Sequence, residues 1–162
     1  MKIQTERFGE VDVPDERILS FVEPILGFEE SKQYFLLEHA PDSPFHWLQS
    51  VQEPELAFVV TNPALFNIPY EITLNDNVLD LLKITTAEEA LVFNIVNVPA
   101  DNPTKMTANL LAPIVINQEN GRAMQVVLKD SDFAIKTPLL PQSNQPVAVA
   151  SMDSDNDDEQ EE

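Results

Sequence analysis

The sequence contains no cysteine, which excludes disulfide bridges, thiolate metal sites and cysteine nucleophiles together. It has only 3 glycines, and none of them forms the pattern of a nucleotide-binding loop. No apolar run approaches the length of a membrane span. The first residues, MKIQTE, lack the apolar segment of a secretory signal. These absences predict a soluble, cytoplasmic protein.

Basic residues are also scarce. The 162 residues include 9 Lys and Arg against 28 Asp and Glu, giving a formal net charge of −19. Seven of the acidic residues lie in residues 153–162, so residues 1–140 still carry 21 acidic and 9 basic residues. A negative surface repels phosphate backbones and attracts basic proteins. Direct nucleic-acid binding is not expected, because neutralising phosphates requires clustered Lys and Arg.

Prolines, by contrast, are frequent, and most of the 13 separate short extended runs. Such punctuation is typical of many short strands. It predicts an all-β fold, a single closed or partly open antiparallel β-barrel-like domain over residues 1–140 with one or two short helices. The predicted strands are Ile3–Thr5, Glu10–Val13, Tyr34–Glu38, Phe45–Val51, Ala57–Thr61, Tyr70–Leu74, Leu91–Val98, Ile114–Asn117, Met124–Leu128 and Phe133–Lys136.

Helix is predicted in three short segments. Asn77–Lys83 has apolar residues at helical spacing and a capping residue in Asn75 or Asp76. A Thr-x-x-Glu capping box lies within Thr85–Glu89, and Asp15–Leu19 is a further candidate. After residue 140 the composition becomes linker-like and then acidic. Residues 141–162 are therefore predicted to be a disordered acidic tail, because they offer little apolar surface to bury.

Candidate catalytic and metal-binding residues are few. His39 and His46, the two histidines, lie on adjacent predicted strands and could be close enough to share a metal ion. A serine triad could combine His46 with Asp42 and Ser43 or Ser50, but no nucleophile elbow is present. We interpret the histidines as isolated strand residues. The sequence predicts no catalytic, cofactor or metal site, and hence no enzyme.

The most specific segment is Met106–Asn117, MTANLLAPIVIN. Its residues Met106–Asn109 are compatible with a helical turn, Pro113 limits where the following strand can start, and Asn120-Gly121 then indicates a hairpin turn. This segment resembles the flagellar assembly factor FliW family. Further blocks agree with that family in the same order; they are Phe8–Glu10, Phe21 with Leu26–Glu29, Ser43–Ser50, Pro54–Val60, Gly121 with Gln125–Leu128, and Asp130–Phe133.

The resemblance covers residues 1–140 and implies a non-enzymatic regulator of flagellar assembly without a cofactor. Proteins of this family bind the translational regulator CsrA, relieving repression of flagellin mRNA, and bind flagellin as the competing partner. The resemblance thus implies a monomer that forms a complex with the CsrA dimer. Two alternatives stay open: a flagellin-specific chaperone with a secondary effect on translation, and a small-ligand-binding barrel.

Six residues are candidates for partner binding. Trp47 is one, because tryptophan often lies between an apolar interior and a wet rim. Leu65 and Phe66 lie in an apolar loop, for which packing and partner contact are equally open. Thr107, Asn109 and Asn117 are polar residues in the most specific segment. For the two asparagines, capping of a turn by side-chain-to-backbone bonds is the alternative to a direct contact.

Overall fold

The computed structural model describes residues 1–129 and 131–140, and these contain eleven strands, one α-helix and four single-turn 3₁₀ segments. The strands are β1 Lys2–Thr5, β2 Gly9–Asp12, β3 Leu19–Phe21, β4 Gln33–Glu38, β5 Phe45–Ser50, β6 Ala57–Thr61, β7 Ala90–Asn97, β8 Thr107–Ala108, β9 Ile114–Asn117, β10 Arg122–Gln125 and β11 Thr137–Pro138. The helix α1 is Asp76–Leu82, and the 3₁₀ segments are Asp15–Arg17, Pro63–Phe66, Ala87–Glu89 and Pro103–Lys105.

Seven strands close into a barrel, in the order β7-β6-β5-β4-β3-β10-β9, with β9 pairing back onto the first half of β7. The second half of β7 pairs with β8, which in turn pairs with β11 outside the barrel. All these pairs are antiparallel except β3 with β10, which is parallel. The predicted barrel is therefore confirmed, but its expected antiparallel pairing is wrong at this one junction.

Strand alternation fills the barrel interior with side chains. The fully buried members include Tyr34, Leu48, Val60 and Ile114, each at most 1% exposed. Phe93 and Ile95 of β7 pack against them from the last closing strand. Because side chains on successive residues point to opposite faces, the residues between these positions face outward. Over the described residues the interior is thus filled by packed side chains.

Three apolar layers cover the outside of the barrel. Helix α1 packs Val78 and Leu82 against Val115 and Met124 of the β9–β10 hairpin. The β1–β2 hairpin covers the outward face of β4 around Phe35. The third layer lies over β7 and β8, where Leu110 and Leu139 join the loop around Phe66. These layers explain how a small barrel buries apolar residues on both faces of its strands.

The helix and hairpin predictions are largely confirmed. Helix α1 begins after Asn75, whose side chain accepts the Val78 N–H at 2.9 Å, as expected of an N-cap. Gly121 has a positive φ of 77° and donates its N–H to the Asn117 carbonyl, which closes the β9–β10 turn. Strand β9 begins directly after Pro113, consistent with a proline that cannot donate to the ladder.

Four segment predictions are wrong. Tyr70–Leu74 half-buries alternate side chains but pairs with no strand among the described residues, and the strand expected at Phe133–Lys136 forms later, as β11. The helical turn expected in Met106–Asn109 is extended instead, because its backbone pairs with β7. Asp15–Leu19 is helical only to Arg17, since Leu19 starts β3 and enters the barrel core.

The predicted tail, residues 141–162, and Asp130 of the last family block lie outside the described residues. Within residues 1–129 and 131–140, no helix is long and apolar enough to cross a membrane, and α1 itself has only 7 residues.

Candidate partner-binding surface

An apolar groove crosses the outer face of strands β5 to β8. It has a volume of about 250 Å³ and almost no polar lining. Its walls are formed by His39, Phe45, Trp47, Val59, Val98 and Met106. The groove lies on the side of the sheet opposite the barrel core. The side chains that form it therefore do not pack into the barrel interior.

The alternation of β5 and the pairing of β6 explain why these side chains meet. Phe45 and Trp47 point outward, while Leu48 points into the core. Trp47 pairs directly with Val59 on β6, so the two side chains lie side by side on the same face. Val98 follows the end of β7 and is 41% exposed. Two strands and the ends of two others thus supply one continuous apolar strip.

Trp47 is in contact with three neighbours outside the core. The guanidinium of Arg7 lies 4.3 Å from the centre of the indole ring, a cation–π arrangement. The Phe8 ring meets the indole edge-on at 5.9 Å, and the indole N–H donates to Nδ1 of His39 at 3.3 Å. The N-terminal hairpin therefore holds Trp47 in place, while part of the ring remains open to the groove. This is the half-covered position expected from the sequence.

In the apolar loop around Pro63–Phe66, one side chain packs against the barrel and another is exposed. Asn62 accepts the Ala64 N–H at 2.9 Å and starts the 3₁₀ turn Pro63–Phe66. Phe66 packs against Phe45, with ring centres 5.7 Å apart, and so supports one wall of the groove. Leu65, on the opposite side of the turn, is 63% exposed. Phe66 therefore has a packing role, and Leu65 is accessible to a partner.

The three polar candidates of the most specific segment do not lie together. Thr107 is on β8, half-buried, and pairs with Asn97 and Pro138. Asn109 accepts the Ala112 N–H at 3.0 Å, which is the turn cap considered as its alternative role. Its hydrogen bond fixes the start of the turn that leads into β9.

Asn117 is 1% exposed and fully hydrogen-bonded. Its side-chain amide donates to the carbonyls of Leu82 at 2.9 Å and Lys83 at 3.1 Å, at the end of α1. The side-chain oxygen of Asn117, Oδ1, accepts the Glu119 N–H at 2.8 Å. The side chain therefore ties the helix to the barrel. A direct contact between Asn117 and a partner would require the helix to open, so its influence on binding stays a prediction.

The two histidines lie on opposite faces of the sheet. His39 faces outward against Trp47, whereas His46 faces the interior, with its ring 5.5 Å from that of Phe93. Nδ1 of His46 is buried and has no hydrogen-bond partner among the described residues. Over the same residues, no three His, Cys, Asp or Glu side chains are grouped to hold a metal ion. The structure does not bring together the pair or the triad considered from the sequence.

A buried polar cluster closes one end of the barrel. Ser31 bonds to Ser50, with their hydroxyl oxygens 2.7 Å apart, and also donates to the Glu53 carboxylate. Tyr34 faces Ser31, but its hydroxyl lacks a partner in hydrogen-bonding geometry among the described residues. Burial raises the pKa of Tyr34 to about 12. Both serines are fully buried, so a substrate could not reach them without unfolding this end.

Most of the groove was not identified from the sequence. The sequence predicts no partner-binding role for Phe45, Val59, Val98 or Met106, although the alternation of β5 and β6 indicates which of their residues face outward. Arg7 could not be found this way, because it is 40 residues from Trp47 in the chain and only the hairpin's docking brings them together.

The sequence of this chain is similar to a known protein family over most of its length. The family model described as FliW protein matches residues 2–139. The chain is 43% identical over 147 residues to the flagellar assembly factor FliW of Bdellovibrio bacteriovorus, covering 91% of this chain and 83% of that relative. It is 39% identical over 138 residues to that of Leptospira biflexa, covering 85% and 90%.

The fold of this chain is also similar to a solved structure. A crystal structure of the flagellar assembly factor FliW superposes with a TM-score of 0.80 at 39% sequence identity. The match covers 88% of this chain and 99% of that one. The chain belongs to the FliW family of flagellar assembly factors.

Proposed function

We propose that this chain is a non-enzymatic cytoplasmic factor of flagellar assembly that binds two proteins, CsrA and flagellin, in competition. Binding of CsrA relieves the repression of flagellin mRNA, and flagellin displaces CsrA when it accumulates. The observation that carries the proposal is the apolar groove on the outside of a barrel whose inside is filled. Such a molecule offers a surface to a protein rather than a cavity to a small ligand.

The negative charge suggests how binding could affect RNA. Residues 1–140 carry 21 acidic against 9 basic residues, so the domain has a net negative charge. A protein that binds RNA presents basic residues where it does so. A negative partner docked beside that site would repel RNA through the field, without filling the site. The free chain acts as a monomer and the bound chain joins a CsrA dimer.

A salt series tests the field mechanism. Fluorescently labelled flagellin-leader RNA is bound to purified CsrA, and its displacement by this chain is measured from low to high salt. The affinity of the chain for CsrA is measured in parallel by calorimetry. Displacement should weaken with salt more steeply than docking does, because screening shortens the reach of the field. Displacement that stays constant while docking is intact would contradict a field effect.

Point variants test the surface. We expect Trp47→Ala and Leu65→Ala to weaken CsrA or flagellin binding, because each removes an apolar side chain from the outer face. Val127→Ala is the matched control, since Val127 is 40% exposed but lies beyond the end of β10, away from the groove. Equal affinities for all three variants would exclude the groove and its loop from the interface.

Competition between partners tests the second half of the proposal. Flagellin added to a preformed complex of this chain with CsrA should release CsrA in proportion to the flagellin bound. A ternary complex, detected as one species of summed mass, would contradict competition. Binding to flagellin without any binding to CsrA would favour the alternative of a flagellin-specific chaperone.

A further inference from the structure

Tyr70–Leu74 has the sequence and the burial pattern of a strand but no strand beside it. Its residues, YEITL, include tyrosine, isoleucine and threonine, which favour strands. Alternate side chains, from Tyr70 to Leu74, are half-buried, and those of Glu71 and Thr73 between them are exposed. Residues 68–75 contain no helix, turn or bend. This alternation is that of a strand lying on an apolar surface.

The backbone of this segment is unpaired. Among residues 1–129 and 131–140, no backbone N–H or C=O group of Tyr70–Leu74 takes part in a hydrogen bond. The segment is held through side chains instead; the Tyr70 hydroxyl donates to the Leu110 carbonyl at 2.6 Å and accepts from the Asn94 amide at 3.1 Å. A row of unpaired N–H and C=O groups at strand spacing is a template for another extended chain.

A groove of about 500 Å³ lies beside the segment, and we call it the strand groove. Glu71–Thr73 line one side of it, and Val126–Leu128 line the other. Ile72, Val126 and Leu128 belong to one apolar cluster, which forms the floor. A strand placed here would rest every second side chain on this floor, because side chains alternate. The strand groove therefore fits an extended peptide with apolar residues at alternate positions.

The charges indicate what the other positions of the peptide carry. Glu71 is exposed and has no basic group within ion-pair distance among residues 1–129 and 131–140. Opposite charges stabilise directly paired positions of neighbouring strands. Lys129, the basic residue of the lining, lies on the opposite wall. With 21 acidic against 9 basic residues over residues 1–140, the domain also attracts basic segments at longer range.

We propose that Tyr70–Leu74 pairs with an extended segment of a partner protein in which apolar and basic residues alternate. The backbone of that segment bonds to the free edge of Tyr70–Leu74, its apolar side chains lie on the floor of the strand groove, and a Lys or Arg lies opposite Glu71. The strand groove shares no lining residue with the apolar groove around Trp47. The proposal is therefore independent of the two partners proposed above.

A short peptide tests the pairing. The probe is acetyl-Val-Lys-Val-Lys-Val-amide, which has the same length as Tyr70–Leu74. The matched control has the same side chains but carries N-methyl groups at its second and third residues, which removes a donor from each edge of the strand. Each peptide is titrated into the ¹⁵N-labelled full chain. Amide chemical shifts and amide hydrogen-exchange rates are measured by NMR.

The probe should slow exchange at alternate amides of Tyr70–Leu74, because every second N–H of a strand points to the same edge. With about nine sites in ten occupied, exchange should slow roughly tenfold, since only the free fraction exchanges. The methylated control should give no such pattern. Equal protection by both peptides, or shifts centred outside the strand groove, would overturn the proposal. Protection in the peptide-free chain that grows with protein concentration would also overturn it, because a second copy would then be the occupant.

Glu71→Gln tests the charge of the docking strand. Removing the carboxylate should weaken probe binding roughly 1.5- to 5-fold, the effect of one cross-strand charge pair. Glu16→Gln is the control with the same change of net charge, on the exposed turn Asp15–Arg17. An equal loss of affinity in the two variants would mean that only net charge attracts the peptide. No loss with Glu71→Gln would contradict a basic residue opposite Glu71.

Discussion

The inside of the barrel and the groove on its outer face are built from similar residue types, yet differ in what surrounds them. Leu48 and Ile114 inside are at most 1% exposed, whereas Val98 in the groove is 41% exposed. The same strand supplies both regions, because Leu48 of β5 points inward and Trp47 points outward. Alternation along one strand thus separates the residues that hold the fold from those available for recognition. Substitutions should reveal this separation as a difference in stability.

The largest expected effect is that of Leu48→Ala in the interior. Removing a fully buried leucine loses its transfer energy and leaves a cavity, at a cost of about 2–5 kcal/mol in the free energy of unfolding. Val98→Ala in the groove is the matched change and should cost less than about 0.5 kcal/mol. Denaturant unfolding of both variants measures the difference. Similar losses in the two would mean that the groove belongs to the core.

Asn117→Ala tests the link between the barrel and α1. The substitution removes three hydrogen bonds, and it leaves the Lys83 carbonyl short of a donor while the Leu82 carbonyl keeps the Asn120 amide, so we expect a loss of about 1–3 kcal/mol. Asn97→Ala, on the exposed end of β7, is the control and should be near neutral. Thermal unfolding followed by circular dichroism reports both. A neutral Asn117→Ala would show that apolar packing alone anchors the helix.

High pH should lower the free energy of unfolding through the buried hydroxyl of Tyr34. The pKa of Tyr34 is raised by burial to about 12, so in the folded state its phenol keeps the proton above the ordinary value of 10.0. A raised pKa stabilises the fold fully below pH 10, and this stability is lost as pH rises towards 12. The loss is about 3 kcal/mol by linkage.

Tyr34→Phe isolates this contribution. The variant keeps the ring and removes a buried hydroxyl that lacks a partner, so at pH 7 it should be as stable as the parent or slightly more so. Between pH 10 and 12 it should lose less stability than the parent. Unfolding midpoints measured across this range provide the comparison. Parallel curves for the two proteins would refute a Tyr34 contribution.

Much of the barrel could be predicted because it depends on local signals. The β9–β10 hairpin follows from Pro113 and the Asn120-Gly121 turn, and α1 from its cap at Asn75. Strand β3 was missed, because its three residues carry too short a pattern and a helical signal precedes them. Its parallel pairing with β10 could not be read either, since partners distant in the sequence leave no local trace.

The candidate site was predictable only in part, for a similar reason. Trp47 and Leu65 could be singled out by residue type, and the structure leaves both accessible. Asn117 is a polar residue in a distinctive segment, which makes it a candidate from sequence, yet its side-chain hydrogen bonds go to the end of α1, 35 and 34 residues away. Residue type indicates that a side chain is able to make a hydrogen bond or an apolar contact. Only tertiary packing decides whether its partner lies inside the molecule or outside it.

The smallest expected effect on stability is at the edge of the groove, beside Trp47. Arg7 contacts the Trp47 ring from the N-terminal hairpin, and an exposed cation–π pair contributes about 0.5–1 kcal/mol. We expect Arg7→Gln to lower the unfolding free energy by this amount and to make the indole more accessible to acrylamide. Arg17→Gln, on the exposed 3₁₀ turn Asp15–Arg17, is the control with the same change of charge. Equal effects of the two variants would indicate that net charge alone acts. A specific loss with Arg7→Gln would mean that the hairpin, although outside the barrel, shapes the wall of the groove.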